Sequence, residues 1–180
     1  MAVPMLLINL YGAPGAGKST TRAEVFSKLK KLDINCEEIP EVAKRFTWEK
    51  RELTMKSQPY LFGKQLRDTE ILKGQVDVAI TDSPLILSVL YGRKYADYPE
   101  SFYDGVVDIA NSFDSMNFFI ERTKKYNPAG RNQTEEESDA IAWQLQHLLG
   151  EFKIPYSTIS GPGIGDVIVN RILERLKFSD

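Results

Sequence analysis

Gly12, Gly17, Lys18 and Ser19 occupy the fixed positions of a G-x-x-x-x-G-K-[ST] pattern within Gly-Ala-Pro-Gly-Ala-Gly-Lys-Ser-Thr at residues 12–20. The chemistry of this spacing is phosphate binding. Glycines let the backbone curl so that successive N–H groups point at phosphate oxygens. The lysine reaches the β- and γ-phosphates, and the serine hydroxyl ligates Mg²⁺. A helix opening at this point adds the positive end of its dipole. The expected donor-binding residues are Gly12, Pro14, Gly15, Ala16, Gly17, Lys18, Ser19 and Thr20, and the expected ligands are ATP and Mg²⁺.

Other chemically equipped residues follow apolar runs that read as strands. Asp82 ends Val78-Ala79-Ile80-Thr81. A carboxylate there can hold Mg²⁺ with Ser19, directly or through water; the structural alternative is a turn or cap ahead of Pro84. Glu41 follows Ile39-Pro40. It can accept a proton from an acceptor hydroxyl, or simply sit in the first turn of a helix and favour its dipole. Which of the two carboxylates is the base stays open. Arg122, Lys124, Lys125 and Arg131 lie in one polar, turn-rich segment. Cations that close over a transferring phosphate stabilise its charge and exclude water, so Arg122 and Arg131 are expected to close over the transferring group, at least one of them contacting phosphate; a solvated basic loop is the alternative. Gln58, Tyr60, Phe62 and Gln65 lie on one helical stretch, with Arg45 just before it. These are the expected acceptor-binding residues, although packing in the helical core is the favoured reading for Phe62. Gly163, in Gly161-Pro162-Gly163, is expected beside the donor base.

The elements that would position these residues alternate. Strands are predicted at 5–11, 34–39, 76–81, 116–121 and 155–159. Helices are predicted at 21–32, 57–73, 100–111, 134–149 and 165–177, with an irregular helix at 41–52 and a tyrosine-bearing loop at 91–98. Alternating strands and helices build a parallel sheet covered on both faces. Ligands of such sheets bind beyond the carboxyl ends of the strands, where every residue above converges. The expected fold is α/β: a three-layer P-loop NTPase fold with a five-stranded parallel sheet, helices on both faces and a small basic lid at about 122–133. One domain spanning 1–180 accommodates it.

Composition narrows the function classes. The 180 residues are 42% hydrophobic and 27% charged, with a net charge of −2. This balance disfavours a nucleic-acid binder without excluding a local basic patch. A single cysteine, Cys36, excludes an internal disulfide or a cysteine metal site. The single histidine, His147, lacks partners for a triad. No stretch has the length and apolarity of a membrane span or a signal segment, so a cytoplasmic protein without membrane contact is expected. A homodimer is compatible with all of this.

On these residues the chain resembles the P-loop kinases of the nucleoside and nucleotide kinase group. The resemblance rests on 12–20, on the Glu-Ile-Pro-Glu stretch around Glu41, on the helix carrying Gln58 and Gln65, on Asp82-Ser83-Pro84, and on 122–131 followed by Thr-Glu-Glu-Glu. In deoxynucleoside kinases a glutamate after the second strand is the base, and an Asp/Glu-Arg-Ser turn follows the third; here no arginine stands between Asp82 and Ser83. The chain is also similar to small AAA-type ATP-binding domains related to nicotinamide riboside kinases, and compact kinases of this kind occur in bacteriophage genomes. The resemblance implies an ATP-dependent phosphotransferase acting on a small acceptor, a nucleoside or nucleoside monophosphate. Two other readings stay open: a kinase acting on bases or ends of DNA, and a nucleotide-dependent ATPase or switch without an acceptor. The donor, ATP or GTP, is not fixed by these motifs.

Overall fold

The computed structural model describes residues 5–123, 127 and 134–177. The strands are β1 Leu6–Tyr11, β2 Cys36–Ile39, β3 Val78–Thr81, β4 Ser115–Ile120 and β5 Ser157–Ile159. They form one five-stranded sheet in the order β2-β3-β1-β4-β5, and every neighbouring pair is parallel. The phosphate-loop strand is therefore central, as expected for the P-loop fold. The helices are α1 Lys18–Lys31, α2 Val42–Trp48, α3 Glu52–Lys56, α4 Gln58–Glu70, α5 Leu87–Tyr95, α6 Glu100–Asn111, α7 Glu135–Glu151 and α8 Ile164–Lys177.

Alternation along β1 sorts its side chains between two cores. Leu6, Ile8 and Leu10 pack with Val25 and Leu29 of α1 and Ile168 and Ile172 of α8. Tyr11 faces the opposite layer with Val89 of α5, Val106 of α6 and Leu145 of α7. Leu7 shares that side with Ala79, next to Leu66 of α4. Burial on both faces explains why the strands read as near-continuous apolar runs. Each fully buried side chain such as Ile8 or Leu10 contributes about 1.5–3 kcal/mol. Cys36 is buried in the α1–α8 core.

The structure departs from the sequence reading in two places. Residues 91–98 were expected to loop, yet α5 covers Leu87–Tyr95. Ile86, Val89 and Leu90 recur at helical spacing and are buried, and this stripe outweighs the turn signal of the glycine and tyrosines around it. The irregular helix at 41–52 resolves into α2 and α3. Lys50 adopts φ 56° between them, a left-handed conformation that stops a helix. The capping box ahead of α7 forms as expected: Glu137 N–H donates to Thr134 Oγ1 at 3.2 Å, and Thr134 N–H donates to Glu137 Oε2 at 2.7 Å. Of the basic segment 122–133, only Arg122, Thr123 and Asn127 are among the described residues, so Arg131, Lys124 and Lys125 lie outside them. Among the described residues, no helix is long and apolar enough to cross a membrane.

Candidate active site

The phosphate loop leaves β1 by a backbone that glycine alone tolerates. Gly12 has φ 142°, and a Cβ built there would lie 2.5 Å from the Ile120 carbonyl oxygen at the end of β4. Gly15 and Gly17 also have positive φ, 84° and 97°. Gly17 is the N-cap of α1, so the first amides of that helix face the loop's concavity. Lys18 Nζ donates to the Gly12 and Ala13 carbonyls at 2.7 and 3.0 Å, which keeps its ammonium at the mouth of the loop. From the far side Ser138 Oγ, fully buried in the first turns of α7, donates to the Pro14 carbonyl at 2.7 Å. Gly12→Ala must push the loop away from β4. We expect at least tenfold weaker ATP binding, about 1.4 kcal/mol, measured by titration calorimetry; unchanged affinity would show that the loop tolerates a side chain there.

The carboxyl ends of β2 and β3 bring two carboxylates to the same cleft. Glu41 is the N-cap of α2 by position, but its side chain makes no capping hydrogen bond. It lines a cleft of about 600 Å³ together with Gly12, Lys18, Ser19 and Asp82. The cleft leaves Glu41 open to solvent, while protein crowds its carboxyl group. That burial raises its pKa above the ordinary glutamate value; Lys18 opposes the rise, Asp82 adds to it, and Lys44 and Arg22 oppose it more weakly. Asp82 is buried. Arg22, on α1, donates through Nη1 to Asp82 Oδ1 and through Nε to Glu38 Oε1, the latter at 2.9 Å. The Arg22 side chain is 16% exposed and that of Asp82 7%, so Arg22→Ala strands a buried carboxylate. The expected cost is about 3–5 kcal/mol of stability, read by urea denaturation at neutral pH; a loss below about 1 kcal/mol would mean that solvent already screens the pair.

The remaining expected site residues fall into three groups. Gln58 and Gln65 line the cleft beside Leu61 and Tyr91. Both amides are engaged by protein: Gln58 Nε2 donates to the Met55 carbonyl at 3.0 Å, and Gln65 Oε1 accepts from Val42 N–H at 3.2 Å. Tyr60 is 45% exposed and Arg45 is exposed, and neither lines the cleft. Phe62 packs edge-on against Phe102, with centroids 6.3 Å apart. Gly163 immediately precedes α8 and has φ 76°; it too lies outside the cleft wall. Arg122 pairs with Glu135 at 2.9 Å and Asp139 at 2.6 Å, which ties the end of β4 to the first turns of α7.

Sequence reasoning missed Arg22, Lys44 and Ser138. Arg22 carried a usable signal: it lies four residues after Lys18, on the same helix face as that lysine. Tyr91 and Trp48 also line the cleft. Burial raises the Tyr91 phenol pKa, with Glu41 adding to it, so the phenol stays protonated beside that carboxylate.

The groups that could hold a divalent cation here are few. Among the described residues there is no group of three or more metal-ligating side chains. Ser19 and Asp82 both line the cleft. Such a sparse set suits Mg²⁺, which takes most of its ligands from phosphates and water.

A family profile described as an AAA domain matches residues 7–164. The chain belongs to this AAA domain family. The match runs from β1 through β5, so it takes in the phosphate loop and both carboxylate-bearing strand ends. No curated protein sequence matches this AAA domain. Its fold matches two solved structures of deoxyadenosine kinase from M. mycoides. The first, with bound dATP, has a TM-score of 0.50 at 18% identity and covers 95% of this chain and 99% of the other. The second, with products dCMP and a flexible dCDP bound, has a TM-score of 0.53 at 17% identity and covers 95% and 98%. Both extend over nearly the whole chain, which establishes the three-layer kinase-like fold of this AAA domain.

Proposed function

We propose that this AAA domain transfers the γ-phosphoryl group of ATP to a hydroxyl of a nucleoside or nucleoside monophosphate. The observation that carries the reading is the meeting of Glu41 and Lys18 across one cleft, where the ammonium tempers the pKa of the carboxylate. A triphosphate cradled by 12–20 would present its γ-phosphate to the space in front of Glu41. Beyond Glu41 the cleft continues between α2, α3 and α5, past Gln58, Met55 and Tyr91. An aromatic base fits against such a wall. The deoxyadenosine kinase structures that share the fold hold nucleotides, which supports a nucleotide-sized acceptor.

Each residue has a role in this account. Lys18 leaves the Gly12 and Ala13 carbonyls and pairs with β- and γ-phosphate oxygens. Glu41 accepts the acceptor's hydroxyl proton as the acceptor oxygen forms its bond to the γ-phosphorus. The bond from that phosphorus to the β–γ bridging oxygen breaks, and ADP leaves with the charge. Ser19 and Asp82 would hold Mg²⁺, which supplies electrostatic stabilisation of the phosphates when bound. Arg22, paired with Asp82, keeps that carboxylate oriented. The roles of Arg122 and Arg131 over the transferring group belong to the same proposal.

The test is transfer of ³²P from γ-labelled ATP to a panel of ribo- and deoxynucleosides, their monophosphates and short oligonucleotides. Label should appear in at least one nucleoside or nucleoside monophosphate. Transfer confined to oligonucleotides would replace the small acceptor with a polymer, and no transfer to any acceptor would reject the reading.

A further inference from the structure

Gln65 is a polar side chain on α4 that is 6% exposed, and its amide stands between the two strand ends that carry Glu41 and Asp82. Its Oε1 accepts from Val42 N–H at 3.2 Å. Its Nε2 faces the Pro40 carbonyl at 3.4 Å and Thr81 Oγ1 at 3.5 Å. Thr81 Oγ1 in turn accepts from Ser83 N–H at 3.0 Å. The contacts bracket the chemistry: residues 40 and 42 flank Glu41, and Thr81, which holds the Ser83 N–H, immediately precedes Asp82. Only one amide orientation suits this surrounding, because Val42 N–H needs an acceptor and the Pro40 carbonyl needs a donor. Ile39 and Thr81 are register partners between β2 and β3, but the sheet pairing stops there. Beyond it nothing in the ladder fixes the two carboxylate-bearing residues to each other.

We propose that Gln65 is a positioning residue that clamps the ends of β2 and β3 together and so sets the placement of Glu41 relative to Asp82 and the phosphate loop. It does this in place of reading the acceptor, because both ends of its amide face protein. The helix holds it firmly: Leu61 and Thr69, one turn to either side, are buried, and Thr69 Oγ1 donates to the Gln65 carbonyl at 2.8 Å. The consequence for rate rests on the proposed base role of Glu41; the clamp itself does not. A base displaced by about 1 Å can lose 10²-fold in rate.

Gln65→Met keeps length and volume and removes all three contacts. Three readouts separate a clamp from other roles. Amide hydrogen exchange at Val42, followed by NMR, should accelerate at least tenfold as its acceptor disappears. The ¹³C-carboxyl titration of Glu41 should move down toward the ordinary glutamate range, because residues 40–42 loosen and protein no longer crowds the carboxyl group. The charged and titratable groups facing Glu41 are Lys18 and Arg22 of α1, Lys44 of α2, Asp82 after β3 and Tyr91 of α5, and the substitution changes none of them. In turnover, kcat should fall at least tenfold while the acceptor KM stays within about twofold.

Thr81→Val, nearly isosteric, removes the β3 anchor and should shift the same readouts in the same direction by a smaller amount, with Thr81→Ser restoring them. This pair decides the matter if Gln65→Met fails to fold. Unchanged Val42 exchange and Glu41 titration would overturn the proposal. So would a raised acceptor KM with kcat preserved, which is the mark of a residue that reads substrate. The exchange and titration need no acceptor, so a chain that transferred no phosphate would still decide whether the clamp exists.

Discussion

Glu41→Gln should bind ATP as tightly as the wild type and lose about 10²–10⁴-fold in kcat. The amide keeps the shape of the carboxyl group and cannot accept the hydroxyl proton. The pH profile gives the same residue a second signature. Burial raises the Glu41 pKa, and the Asp82 charge contributes in the same direction. A base works only when ionised, so activity falls as pH drops through its pKa. A raised pKa places the acid limb of kcat/KM above the ordinary glutamate value of about 4.3. Glu41→Gln should abolish that limb along with most of the rate. If the variant keeps wild-type turnover, or keeps the limb, the base lies elsewhere, and Asp82 becomes the candidate.

Lys18→Ala should cost about 10²–10³-fold in kcat, with a further loss in apparent ATP affinity. Its ammonium is held at the mouth of the loop by the Gly12 and Ala13 carbonyls. Steady-state kinetics at saturating and limiting ATP separates the two losses. Full turnover in this variant would remove the phosphate loop from the mechanism.

The two carboxylates have opposite settings, although both follow short parallel strands. Arg22 holds Asp82 in place. Glu41 has no side-chain cap and opens onto the cleft. Environment therefore separates a fixed anion, suited to orienting a cation, from a carboxylate of raised pKa, suited to accepting a proton, on a frame that treats their strands alike.

Much of this was legible in the sequence because the signals were local. The phosphate loop is a contiguous pattern whose glycines are required by φ angles within it. The strands were legible because a sheet buried on both faces leaves apolar runs. Thr134 and Glu137 marked the start of α7 because a capping box is contained in four residues. What the sequence hid depends on contacts between distant segments. Ser138 reaches Pro14 across 124 positions, and nothing local distinguishes it from any helix serine. Gln65 resembled a substrate reader because a glutamine on a pocket helix has the right chemistry; only the strand ends packed around it reveal its partners. Residues 91–98 looked like a loop because glycine and several tyrosines obscured a three-residue apolar stripe. The ion-pair partners of Arg122 were hidden too, because Glu135 and Asp139 come from a helix beyond the basic segment.

A kinase couples ATP cleavage to acceptor phosphorylation, and this coupling separates the proposed function of this AAA domain from that of an ATPase. The most direct measurement is a rapid-quench time course, with phosphorylated acceptor and ADP quantified in the same samples. The account predicts one phosphorylated acceptor for each ADP, with ADP formation falling to a trace when the acceptor is omitted. ADP formed at the same rate with and without acceptor, and no phosphorylated product, would contradict it and identify an ATPase instead.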